Sequence, residues 1–77
     1  MAKTRTYREL DAVSIPEDVP ELGDAAGDGG VISTVWAGGK MLNVEIPRAG
    51  GASAGFIDLE VQSDGSMKVV GYSKLSG

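Results

Sequence analysis

Cysteine and histidine are both missing from these 77 residues. The first absence excludes a disulfide, a thiolate zinc ligand and a thiol nucleophile; the second excludes every imidazole-centred catalytic arrangement. Aromatic side chains are scarce: Trp36, Phe56, Tyr7 and Tyr72 are the whole set. No apolar run approaches the roughly 20 residues needed to span a bilayer. The basic start, Met1 to Arg8, also lacks the apolar segment of a secretion signal. A soluble, cytoplasmic protein is therefore expected. What the chain does have is ordinary globular composition, with 42% hydrophobic and 23% charged residues. Its length allows one small domain near the lower limit at which a chain buries a useful core.

The net charge of −4 is unevenly distributed. Lys3, Arg5 and Arg8 stand in residues 1–8 without an acid. Glu9, Asp11, Glu17, Asp18, Glu21, Asp24 and Asp28 then follow without a base. From residue 29 onward the two signs balance. Phosphate binding is driven by Lys and Arg that release counterions, so an acidic chain of pI about 4.5 disfavours a primary nucleic-acid role. A dense acidic stretch reads either as a solvated loop or as a surface steered toward a basic partner.

Beyond residue 9 the hydrophobic pattern has the period of strands. Leu42, Val44 and Ile46 alternate with Met41, Asn43 and Glu45, and Ile57, Leu59 and Val61 alternate with Asp58, Glu60 and Gln62. Val31–Trp36 and Met67–Tyr72 are rich in strand-forming residues, and Leu10–Ile15 is a weaker strand. Ala37-Gly38-Gly39-Lys40 and Ser63-Asp64-Gly65-Ser66 supply hairpin turns. Residues 49–55, small and glycine-rich, read as a mobile loop. Pro16 to Gly30 holds two prolines and four glycines, which excludes a central strand or a stable helix and leaves room for one helical turn around Glu17–Glu21. Five short strands with a long first loop predict a small all-β domain over residues 9–77, a strongly bent sheet or partly closed barrel, preceded by a flexible basic arm of residues 1–8. The expected core is Val13, Ile15, Val31, Val35, Leu42, Val44, Ile46, Ile57, Leu59, Val61 and Val69.

Four segments carry a further resemblance: Tyr7-Arg8-Glu9-Leu10-Asp11-Ala12-Val13, Asp18-Val19-Pro20-Glu21, Gly27-Asp28-Gly29-Gly30-Val31-Ile32 and Asn43-Val44-Glu45-Ile46. In order and spacing, residues 7–47 resemble a bacterial domain-of-unknown-function family numbered four-nine-two-six. Ile46 stands where that family usually has an aromatic residue, and the C-terminal part departs from its shorter ending. The resemblance implies a five-stranded SH3-like barrel whose long first loop is residues 16–29. It also implies an antitoxin-like, inhibitory or accessory role, since members look like companions of toxin-like or other small accessory genes.

No spacing supports chemistry. Asp58 and Glu60 alternate with the core face and are expected to be solvated, which leaves neither carboxyl poised for acid–base work. Asp24 and Asp28 flank Gly27 without the alternating ligands and terminal glutamate of a calcium loop. The glycines at 50, 51 and 55 lead into a strand and lack the Gly-Lys-Ser/Thr of a phosphate cradle. No enzyme, metal or cofactor is expected. Strand parity places Trp36 and Phe56 opposite the inward side chains, as apolar anchors for a protein interface. Glu17, Asp18, Glu21, Asp24 and Asp28 would supply its electrostatic complementarity. The expected partner is a protein with a basic surface. Two alternatives share the same fold: a phage-type acidic inhibitor that mimics nucleic acid, and an RNA-contacting barrel, which would need a basic stripe beside exposed aromatics.

Overall fold

The computed structural model describes residues 7–48 and 53–75. Within them the chain forms five strands in one antiparallel sheet whose spatial order is the chain order: β1 (Ala12–Ser14), β2 (Gly29–Trp36), β3 (Met41–Pro47), β4 (Ser53–Val61) and β5 (Met67–Lys74). The expected hairpin turns join β2 to β3 and β4 to β5. In the second, Asp64 Oδ1 accepts hydrogen bonds from the backbone N–H and hydroxyl of Ser66 at 2.9 and 2.6 Å. These bonds hold the Asp64 carboxyl below its ordinary pKa.

Alternation fixes the two faces. Leu42, Val44, Ile46, Ile57 and Leu59 point to one side and are buried, while Asn43, Glu45 and Asp58 lie on the other. Asn43 Nδ2 donates to Asp58 Oδ1 across that outer face at 2.8 Å. Strand β2 obeys the same rule only in two pieces. Its pairing with β3 slips between Ile32 and Thr34, so Ile32 opposes Val44 and Val35 opposes Leu42. A bulge of one residue reverses side-chain parity. The expectation that Val31 joins the core is therefore corrected: Ile32 is fully buried, and Val31 sits half-buried on the outer face beside Glu45.

The expected closure of the sheet is also corrected. β1 and β5 are the two ends of an open sheet and are not paired with each other. Pro16, which lacks the N–H a ladder needs, follows β1 almost at once, and three residues are too few to carry a strand across to β5. The long loop after β1 takes over that task. Its base is zipped by Ile15 N–H to Asp28 O and Gly27 N–H to Ile15 O, both 2.8 Å. Its middle is pinched by an antiparallel bridge between Val19 and Asp24. A single 3-10 turn, Pro20–Leu22, forms the tip, starting three residues later than the Glu17–Glu21 turn expected from the sequence. Val19 and Leu22 from this loop are 3% and 2% exposed and belong to the same core as the inner face of the sheet. At the far edge Val69 N–H donates to Glu17 Oε2 at 3.1 Å, so a side chain caps part of the edge strand.

Tyr7 packs against this core, and Arg8 N–H donates to Asp11 Oδ2 at 3.1 Å, so the described fold begins two residues before the expected boundary. Residues 1–6 of the expected arm, and 49–52 of the expected glycine-rich loop, lie outside the described residues. No helix among the described residues is long and apolar enough to cross a membrane.

Candidate functional site

The first loop carries five of the chain's eleven acids and lines a cleft. Its five acids differ sharply in what they do. Asp18 Oδ1 accepts from Ala26 N–H at 2.8 Å and Asp28 Oδ2 from Ala25 N–H at 3.0 Å, so both carboxylates hold the backbone of the loop. Glu17 is committed to Val69. Glu21 sits exposed in the 3-10 turn, with no side-chain bond to another described residue. Asp24 is 8% exposed, and its Oδ2 is buried without a hydrogen-bond partner among the described residues.

Asp24 is buried because the loop folds back on the sheet. Val19 and Leu22 go into the core, and the bridge from Val19 to Asp24 carries the aspartate down with them. It lines a cleft of about 340 Å³, whose apolar wall is Leu22, Ile46, Pro47 and Ala54. Asp28 and Arg48 complete the polar side. Arg48 Nη2 donates to the Leu22 carbonyl at 2.7 Å, tying the end of β3 to the loop tip. Desolvation, then the hydrogen bond that the protonated Asp24 carboxyl gives Asp28 and the repulsion of the Asp28 charge, push the Asp24 carboxyl above its ordinary pKa, and the Arg48 charge only partly offsets them. The cleft thus holds a buried carboxyl whose ionised form is disfavoured.

Trp36 and Phe56 lie elsewhere. Trp36 is 43% exposed and opposes Met41; Phe56 is half-buried between Glu45 and Ser73. Both occupy the outer face, two strands and two rows apart, or about 16 Å at ordinary sheet spacings. The acidic loop covers the inner face, so the expected anchors and the expected acidic rim do not meet on one surface. A second apolar strip, Val70, Tyr72 and Leu75, is about half exposed along the β5 edge.

Reading the sequence as strands and turns missed Arg48, Leu22 and the burial of Asp24. The available signal was Pro20-Glu21-Leu22-Gly23, a proline opening and a glycine closing a single turn, with Val19 and Leu22 three apart on its inward side. Among the described residues no group of three or more acidic side chains is placed to hold a metal ion. No family model matches the chain, and no curated protein or solved structure matches it at significance.

Proposed function

We propose that this chain is a non-catalytic protein-binding module that docks its first loop on the basic surface of a protein partner. The observation that carries this reading is an acidic loop whose backbone is held in place against the sheet. Its backbone is pinned by Asp18 and Asp28, its apolar residues are anchored in the core, and Glu21 stands exposed at the tip, not engaged by any described residue. A loop ordered before binding presents its charge with little further loss of entropy. Acidic complementarity of this kind mainly raises the rate of encounter.

The same placement argues against nucleic-acid mimicry, which needs carboxylates spread at phosphate-like spacing. Here three of the five serve the protein's own backbone and one is buried. An inhibitory, antitoxin-like or accessory role, an SH3-like fold for the sheet and a cytoplasmic setting complete the proposal; the first two rest on the resemblance of residues 7–47.

Glu21→Lys is the clean test, because reversing Glu17 or Asp18 also removes a structural hydrogen bond. A basic protein captured from native cell extract should associate about tenfold more slowly with the variant at low salt, and the difference should shrink as salt screens it. An association rate unchanged by Glu21→Lys would refute docking through this loop.

A further inference from the structure

Two features of the Asp24 cleft, its chemistry and its size, narrow what a partner would insert there. Its volume, about 340 Å³, lies at the low end of the ~300–1,000 Å³ of small-ligand pockets, room for one long side chain. One wall is aliphatic: Leu22, Ile46 and Ala54. Asp24 lines the same cleft, nine-tenths buried, and its Oδ2 lacks a donor among the described residues. A buried carboxylate oxygen without a donor is unfavourable, and a charge-assisted hydrogen bond relieves it. The chain's own Arg48 lines the same cleft, where its positive charge favours the ionised form of Asp24 while its hydrogen bond goes to the Leu22 carbonyl.

We infer that this cleft is a socket for a lysine side chain of the docking partner, its methylene stem against Leu22, Ile46 and Ala54 and its ammonium on Asp24. The inference rests on the docking function proposed above and names the residue that function would recognise. Lysine fits better than arginine because guanidinium recognition calls for a planar fork laid against both carboxylate oxygens, whereas Asp24 Oδ2 is enclosed in the fold and is better reached by a compact point charge. Asp28 stands at the same side of the cleft, but its Oδ2 is already held by Ala25 N–H.

The test is a backbone-amide NMR titration of the full chain with N-acetyl-lysine methylamide. The norleucine analogue, with the same stem and no ammonium, and the arginine analogue serve as comparisons. The lysine probe should shift the amides of Leu22, Gly23, Asp24 and Ala54, the norleucine probe should not, and the arginine probe should bind more weakly. Asp24→Asn, checked for native amide dispersion, should weaken lysine binding about tenfold or more. Silence at those amides, an equal response to norleucine, tighter binding of arginine, or full affinity in Asp24→Asn would each overturn the socket. If the probe is silent while Glu21→Lys still slows the basic partner, the socket falls and docking stands. If the probe binds and Glu21→Lys has no effect, docking through the loop falls and the cleft remains a lysine site.

Discussion

Gly55→Ala should destabilise the domain by about 3–5 kcal/mol, from backbone strain and overpacking together. Gly55 has φ +150°, a conformation that residues with a Cβ rarely adopt. An added methyl would collide with the Ser73 carbonyl of β5 and stand 3.1 Å from Leu22 Cδ2 and 3.2 Å from Lys74 Cα. Two of these neighbours are backbone in the edge strand, which cannot yield as a flexible side chain does. The third is the loop residue that covers the core. The substitution therefore strikes at both places where the open sheet is held together, the β4–β5 ladder and the folded-back loop. A domain of this size has roughly 4–12 kcal/mol of stability in total, so the variant should be largely unfolded by mild denaturant. Gly29→Ala is the control. Its Cβ would enter open space, and its midpoint should stay within about 0.5 kcal/mol of the parent. Equal midpoints for the two variants would mean that β4 does not pack against β5 and Leu22 as described.

Ile57→Ala should cost about 2–5 kcal/mol in urea unfolding, the range for deleting a large aliphatic side chain from a closed core. Ile57 is fully buried at the centre of β4, opposite Val44 on β3 and Tyr72 on β5. A cavity there has little means of collapsing, because both flanking strands are fixed by their ladders. Val31→Ala, on the outer face, should lose less than about 1 kcal/mol. The contrast separates the observed parity of β2 from the unbulged one, in which Val31 would be a core residue and its loss would resemble that of Ile57.

Much of the sheet was legible because its central strands are regular. Leu42, Val44 and Ile46, then Ile57 and Leu59, alternate without a break, and each is buried as its position implies. Val31 and Ile32 were not separable in this way. Both are β-branched, and the slip beside Ser33 that chooses between them is set by pairing with β3, which no local pattern encodes. The first loop was hidden for a related reason. Glycine, proline and acid dominate residues 16–30, and such composition reads as solvated chain. Yet Val19 and Leu22 are enough to fold it onto the sheet. Once they are inside, Asp24 follows through its backbone bridge, and a residue whose chemistry calls for water is carried into a cleft. Arg48 gave no signal, since its value lies in a contact with Leu22, which is 26 positions away in the chain. Trp36 and Phe56 do share a face, but distance within the sheet and the fold of the loop separate them from the acids.

The stability of Asp24→Asn is the most direct measurement of whether a charge is kept in the cleft at the expense of the fold. The carboxylate is desolvated, repelled by Asp28 and only partly offset by Arg48, so its folded-state pKa lies above the unfolded one. A raised acid destabilises the fold when ionised, and that loss disappears as pH falls through the folded-state pKa. Near neutral pH, urea unfolding should therefore find the Asn variant more stable than the parent by ~1 kcal/mol, the scale of one buried unsatisfied group. The gap should narrow on acidification, as the parent's carboxyl takes up its proton. An Asn variant less stable than the parent at neutral pH would show that Asp24 is a structural partner of Arg48 and not a charge held in reserve for a ligand.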